Sequence, residues 1–321
     1  MKPSCLWTGE SGSSLPLIIE FQTLDSAAEL AEWYRDNKER VDAGLLHNGA
    51  VLFRNLPIRS TEDFDRCLPV FATSFMCYVD GFSPRTKLSG NIYTSTEYDA
   101  DFFITLHNEL SYSARWPARL FFSCITPPAT GGETAIADGR RVVGKMNPDL
   151  LEEMEKKGVR YVRNLHAGGG PGPSWQQTYE TEDRVVVENF CRESQIEFTW
   201  KPDGGIKLVQ YRPATIAHPV TRETVWFNQV DQFHPSHFTP DVYETLLMMY
   251  DYNEEELPMF GSFGDGSKIS DEAIKEIRDT VDSEIVLTPW KQGDLLMVDN
   301  VLVSHGRMPY KGARKILVSM S

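Results

Sequence analysis

His107 and Glu109 stand two residues apart, and His305 follows roughly 200 residues later in the run Asp299-Asn-Val-Leu-Val-Ser-His-Gly-Arg307. On a strand or extended segment, residues i and i+2 point the same way, so the first two side chains converge without help from the rest of the chain. Bringing His305 to the same point is a demand on the whole fold: distant strands from the two halves of the chain must close one sheet system. Two imidazoles and a carboxylate can occupy one face of an octahedral metal and leave the opposite face open, the arrangement that suits non-haem Fe(II). A bare His-x-Glu arises by chance in many chains, so the surrounding text has to decide what it means.

That text alternates between strand and helix signals. Residues 49–54 read as a short buried strand, Phe102–Thr105 as a strand ahead of His107, and Leu120–Cys124 as one after it. Ile285–Leu287, Leu295–Val298 and Ile316–Val318 return to strand near the end. Helices are signalled by a capping box at Ser26–Glu29, by Ser60, by Asn147-Pro148-Asp149 with a stop at Gly158, by Thr239-Pro240-Asp241, and over about 270–281. The expectation is one domain over 1–321, mainly β with α insertions, carrying a central helical insertion. No Gly-, Ser- or Pro-rich linker divides it. Gly168–Pro173 is the one low-complexity spot, and it lacks the flanking elements of a phosphate loop, so it reads as a loop or active-site lid.

Composition narrows the partners. A net charge of −14 repels phosphate backbones and anionic lipid, which disfavours nucleic acid and membrane surfaces and leaves a small molecule or a protein-tethered substrate. The first ten residues lack the apolar run of a signal peptide, and no stretch approaches the ~18 apolar residues of a membrane span, so a cytoplasmic protein is expected. Five scattered cysteines, none in a Cys-x-x-Cys pair, argue against structural zinc and a disulfide framework. Nothing in the sequence sets an oligomeric state.

Four separated motifs surround the opening pattern: Leu106-His-Asn-Glu-Leu-Ser-Tyr112 leading to Trp116-Pro117, then Gly131-Gly-Glu-Thr-Ala-Ile-Ala-Asp138, then Asp299-Asn300 with His305-Gly-Arg307, and Gly312-Ala-Arg314. In this order, from about residue 45 to the end, the chain resembles the taurine dioxygenase/clavaminate synthase family of Fe(II)- and 2-oxoglutarate-dependent oxygenases. The resemblance is nearest the branch of carrier-protein-dependent amino-acid hydroxylases. It implies a double-stranded β-helix (jelly roll) core with surrounding helices, Fe(II) held by His107, Glu109 and His305, and 2-oxoglutarate and O2 as co-substrates. Glu109 stands where many relatives have Asp, a departure shared by the clavaminate synthase side. Arg314 matches the family's arginine for the far carboxylate of 2-oxoglutarate, with Arg307 as its competitor and otherwise a structural or substrate contact. Thr134 matches the family's co-substrate threonine, against the plainer reading of a threonine at a turn-to-strand junction, and Asn91 is a further co-substrate candidate.

Substrate candidates are Glu97, which can present a carboxylate to a substrate amine, and Asn228 and Asp231, in a segment resembling one that borders the substrate pocket of relatives. His47, His166, His218, His234 and His237 lack metal-ligand context and read as surface or packed histidines. The expected reaction is hydroxylation of an unactivated C–H bond of an amino acid or amino-acid-derived metabolite, free or carrier-tethered; desaturation or cyclisation could follow from the same oxidant. A zinc-dependent hydrolase or isomerase, and a non-catalytic binding module on the same barrel, are the competing classes.

Overall fold

Strands buried on both faces build the centre of the molecule, as the computed structural model, which describes residues 3–9, 15–81, 83 and 85–321, makes clear. Residues 1, 2 and 10 of the N-terminal segment read above lie outside the described residues. The principal sheet has eight strands in the order Cys5–Thr8, Leu17–Phe21, Ala50–Arg54, Leu295–Asp299, Arg119–Thr126, Lys315–Met320, Ile92–Thr94 and Lys87–Ser89. Strands from the two halves of the chain, Ala50–Arg54 and Leu295–Asp299, therefore pair at its middle. Leu17–Phe21 and Ala50–Arg54 run parallel, and the helix Ala27–Asn48 makes the crossover that a parallel pair requires.

Period-2 alternation divides the side chains of this sheet between two cores. Val51, Phe53, Phe121, Met297 and Leu317 pack with the helices Ala27–Asn48 and Thr61–Phe71 on one side. Leu52, Leu120, Phe122, Val298 and Val318 face the other way and meet Ile136 and Val303. Those two residues belong to a second, three-stranded antiparallel sheet of Ile104–His107, Val303–Arg307 and Thr134–Asp138. Its outward residues Leu106, Ala135 and Ala137 form a small cluster of their own beneath Phe103 and Ile285. One apolar layer thus lies between two sheets, with helices outside: a mainly β core with helical cover.

All five signalled helices form, and four start at a side-chain cap, whereas Thr239 ahead of the helix Pro240–Met249 makes no such hydrogen bond. Ser26, Ser60, Asn147 and Ser270 each accept a hydrogen bond from a first-turn N–H, and Gly158 ends the helix Pro148–Lys157 with φ of +65°. The central insertion differs from the helical expectation, because it also holds a four-stranded antiparallel sheet of Glu197–Trp200, Ile206–Arg212, Val159–Leu165 and Met259–Phe263. Residues 285–287 do not form the expected strand. Val286 makes a single bridge to Ile136, and Pro289, with no N–H to donate, follows close behind. Among the described residues no helix is long and apolar enough to cross a membrane.

Gly49 ties the first helix to the second sheet. It closes the helix Ala27–Asn48 at φ of +78°, and a Cβ there would sit 2.4 Å from Val303 Cγ2. Gly49→Ala therefore combines left-handed strain with overpacking against the His305 strand, and should lower stability by about 1–3 kcal/mol in urea unfolding. A loss below roughly 0.5 kcal/mol would show that neither constraint is felt.

His234, read as a surface or packed histidine, is packed: its Nε2 lies 3.0 Å from the Ile269 carbonyl, and its Nδ1 accepts from the Ser236 N–H at 3.2 Å. Burial holds its pKa below the usual value despite the Ile269 carbonyl and Asp271. The unfolded chain takes up this proton near pH 6.5, the folded chain only at lower pH, so the contribution is complete above that value and is lost on acidification. Metal-free protein should lose stability as pH falls from about 7.5 to 5.5, by no more than about 1.4 kcal/mol per unit for this one proton. The decline should be shallower in His234→Gln; identical slopes would remove His234 from the account.

Candidate metal centre

The ladder between Val303–Arg307 and Ile104–His107 sets His305 directly opposite His107, with the ring centroids 4.4 Å apart. Glu109 lies just beyond the end of its strand, in a turn where Leu110 takes φ of +57°. Strand register cannot place it, and Asn300 does so instead. The Asn300 side chain accepts from the Glu109 N–H at 2.7 Å and donates to the Glu109 and Pro117 carbonyls at 3.0 and 2.9 Å. Asn108 Nδ2 in turn donates to the Asn300 carbonyl at 2.7 Å. This clamp joins the turn after the first ligand strand to the turn before the second. One ligand atom from each of His107, Glu109 and His305 then falls within 4.8 Å of the others, and all three residues are buried.

Their environment keeps both imidazoles neutral. Burial lowers the His107 pKa, against the pull of Glu109 and the Thr105 carbonyl, which lies 2.9 Å from Nδ1. The Gln232 amide donates to the same carbonyl at 3.1 Å and to Thr105 Oγ1 at 2.9 Å, fixing the backbone that orients this ring. His305 is held well below the usual histidine value by burial and then by His107 and Arg85, and Phe122 packs 5.1 Å from its ring. Its Nδ1 is buried without a hydrogen-bond partner, and its Nε2 lies 3.7 Å from Glu109 Oε2. Neutral imidazoles with available lone pairs beside a carboxylate form an N,N,O donor set that fits Fe(II). The Arg85 guanidinium, 2.6 Å from Glu109 Oε2, supplies positive charge at the same carboxylate.

A cleft beside the three ligands is lined by Thr134, Phe122, Ser95, Arg307 and Arg314. Thr134 is buried and pairs across the ladder with Arg307. The two arginines differ in what they already hold. Arg307 donates to four main-chain carbonyls, those of Thr96, Tyr98, Asp99 and Phe102, and so fastens the 96–102 segment. Arg314 donates from Nε to the Gly132 carbonyl at 2.9 Å and from Nη1 to Ser95 Oγ at 3.1 Å, and has no carboxylate partner among the described residues. Burial, reinforced by Arg307, pushes its pKa down to about 10. A Cβ on Gly132 would come within 3.1 Å of Arg314 Cδ, so the glycine is what lets this turn approach.

A larger cavity of about 640 Å³ adjoins the cleft, and Arg85 lines both. Glu97 and Tyr98 lie in its wall, as do Pro171, Gly172 and Pro173 of the glycine-proline loop. Glu97 accepts from Thr94 and Thr86 hydroxyls at 2.8 and 3.2 Å. Three other candidates lie apart from the centre. Asn91 sits in the turn between Lys87–Ser89 and Ile92–Thr94, accepting from Cys77 at 3.4 Å. Asn228 bonds the Ala214 carbonyl and the Val230 N–H, and with Asp231 lines a different cavity on the outer side of the His107 strand. Burial pushes Asp231 up to about 6 despite Arg278 nearby. Sequence reading missed Arg85, whose stretch carries no periodicity, and gave no role to Asn300, although its Asp-Asn pair ahead of the His305 strand was visible.

The model of the family described as taurine catabolism dioxygenase TauD, TfdA matches residues 19–320. The chain is 34% identical over 308 residues to the dapdiamide synthesis protein DdaC of Enterobacter agglomerans, covering 96% of this chain and 92% of that protein. It is 29% identical over 294 residues to a clavaminate synthase-like protein of Arabidopsis thaliana, covering 89% and 85% of the two chains. Its fold is similar to the crystal structure of PvcB from Pseudomonas aeruginosa, at a TM-score of 0.54 and 13% identity, covering 100% of this chain and 91% of that one. The chain belongs to the TauD/TfdA family and is a non-haem dioxygenase that uses Fe(II), 2-oxoglutarate and O2.

Proposed function

We propose that this enzyme hydroxylates an unactivated C–H bond of an amino acid or amino-acid-derived metabolite, free or tethered to a carrier protein, within a biosynthetic pathway. His107, Glu109 and His305 hold the iron, Arg314 and Thr134 hold 2-oxoglutarate, and the chain acts as one domain on a double-stranded β-helix. One observation carries the reading of the site: a partly buried arginine, without an acidic partner among the described residues, shares a cleft with two neutral imidazoles that stand with Glu109 in one ligand set. A five-carbon diacid that reaches a metal at one end needs a fixed cation at the other, and Arg314 meets that need while Arg307 is spent on four carbonyls. Zinc-dependent hydrolysis has no diacid co-substrate for such an arginine to anchor. The printed names of the relatives, a dapdiamide synthesis protein and a clavaminate synthase-like protein, favour a biosynthetic setting.

When bound, iron and 2-oxoglutarate supply the oxidising chemistry with O2 as the oxidant, one oxygen atom going into succinate as 2-oxoglutarate loses CO2 and the other going to the substrate. The chain supplies placement and exclusion of water. Gln232 and Thr105 orient His107, the Asn300 clamp sets Glu109, and Phe122 closes the apolar wall beside His305. The cavity of about 640 Å³ admits the substrate, with Glu97 on its wall as the acceptor for a substrate amine. The glycine-proline loop on the same wall is the segment that would close over it.

Anaerobic addition of Fe(II) and 2-oxoglutarate should give a visible charge-transfer band; its absence would count decisively against the oxygenase reading. Arg314→Ala should weaken 2-oxoglutarate binding roughly 10- to 100-fold, the about 1.5–3 kcal/mol of charge-assisted hydrogen bonds. Unchanged affinity in that variant, with loss in Arg307→Ala, would reassign the anchor. Succinate release across free and carrier-bound amino acids, with product masses, identifies the substrate: a gain of one oxygen is expected, and a loss of two hydrogens would mean desaturation or ring closure.

A further inference from the structure

Arg85 is a buried cation at the junction of two spaces. Its side chain is 2% exposed, and it lines both the 640 Å³ cavity and the cleft that holds His107, His305, Thr134 and Arg314. Only one of its nitrogens is engaged: Nη2 meets Glu109 Oε2 at 2.6 Å, whereas Nε and Nη1 are buried without a hydrogen-bond partner. The Tyr78 ring lies against the guanidinium, 4.3 Å from its centroid, and steadies the plane without consuming a donor. The other buried arginine of the cavity, Arg163, is matched by Asp80, and Lys87 has Glu180 at 4.0 Å. Arg85 has no acid besides Glu109 within ion-pair reach among the described residues.

Counting charge in the loaded site exposes a deficit. Fe(II) contributes two positive charges, and Arg314 and Arg85 one each. Glu109 contributes one negative charge and 2-oxoglutarate two. With both imidazoles neutral, and with Arg307 set apart because four carbonyls hold it and Asp99 lies near it, one positive charge remains uncompensated in a buried site, and the ion pair that satisfies Arg85 in this structure uses a carboxylate that the metal also needs. Burying an unmatched charge is costly, so an anion from outside the chain is required beside Arg85.

We propose that Arg85 is the specificity residue for substrate, receiving a carboxylate that enters through the 640 Å³ cavity once Glu109 is engaged by the metal. The inference rests on the oxygenase reading above and adds the charge class of its substrate: an anion at the end nearest the metal. Glu97, exposed on the same wall and engaged by the Thr86 and Thr94 hydroxyls, offers the complementary acceptor for an ammonium group. Together they suit a zwitterion held between a buried cation and a solvated acid. Arg85 is thereby a binding group for substrate, and Tyr78 a positioning residue acting through it.

The test uses the enzyme loaded anaerobically with Fe(II) and 2-oxoglutarate and follows the charge-transfer band, which responds when substrate enters the site. The probes are free L-amino acids, aspartate and glutamate included, each paired with a counterpart in which every carboxylate is a primary carboxamide. At least one acid should perturb the band at a concentration tenfold or more below its carboxamide partner. That gap should collapse in Arg85→Met and return in part in Arg85→Lys. Fe(II) should titrate into Arg85→Met as tightly as into the parent or more tightly, because Arg85 competes with the metal for Glu109. If no acid perturbs the band, if carboxamides act equally well, or if Arg85→Met retains the preference, the proposal is wrong. If Arg85→Met instead weakens Fe(II) binding, Arg85 supports the ligand Glu109, and the substrate role is overturned. A missing band in the parent enzyme would bring down the oxygenase reading itself, and formation of the band in Arg85→Met shows that the variant has folded around its site.

Discussion

Everything in this site depends on the pairing of His305 with His107 and on the Asn300 clamp beside it. Antiparallel register brings the two imidazoles side by side, their planes tilted by 46°, because directly opposed residues share a face of the sheet. Register stops helping at His107, where the strand ends. The carboxylate two residues on is set by side-chain hydrogen bonds from Asn300, so one amide links the first ligand segment to the approach to the third. This clamp is buried, and its amide makes three hydrogen bonds, two to carbonyls and one from an N–H. A hydrophobic replacement of any shape would leave those main-chain groups unpaired, which costs more than the bonds themselves contribute.

The same sandwich grades from apolar to polar along one face. Val303, His305 and Arg307 alternate with outward residues, so the inward face of one strand supplies in turn a core contact, a candidate metal ligand and a loop fastener. Ile136 and Thr134 repeat that grade on the neighbouring strand. Dry packing at one end holds the rings neutral, and the open end supplies cations. An arginine is suited to the second task because its charge survives burial: even with its pKa pushed down to about 10, Arg314 remains cationic at neutral pH.

Legibility in the sequence followed how local each determinant is. The two-residue spacing marked His107 and Glu109, although Glu109 lies past the strand end and is set by Asn300, and caps at Ser26, Ser60 and Ser270 marked helix starts, because each signal lies within a few residues. The central four-stranded sheet was illegible for a physical reason. Arg163 and Asn164 are buried in the strand Val159–Leu165, the arginine neutralised by Asp80 from another part of the chain, and buried polar residues erase the alternation that announces a strand. The resemblance favours Arg314 over Arg307 in sequence, and the four carbonyls already bound by Arg307 are a physical difference between them that no local text announces. Asn228 and Asp231 lie apart from the metal centre for a different reason. Their local text says nothing about which side of the His107 strand they face, and they line the outer one.

This division has a consequence for how such an enzyme can change. His107, His305 and Thr134 sit on strands whose inward residues are locked by two sheets, whereas Arg85, Glu97, Tyr98 and the glycine-proline loop lie on connecting segments around the cavity. Altering a connecting segment leaves the metal geometry in place and changes what is admitted to it. Arg85 belongs to both regions, since it comes from a loop and contacts a candidate metal ligand. A substitution there alters the charge of the admitted substrate and the competition for Glu109 together, so the charge class of the substrate should be harder to change than its size.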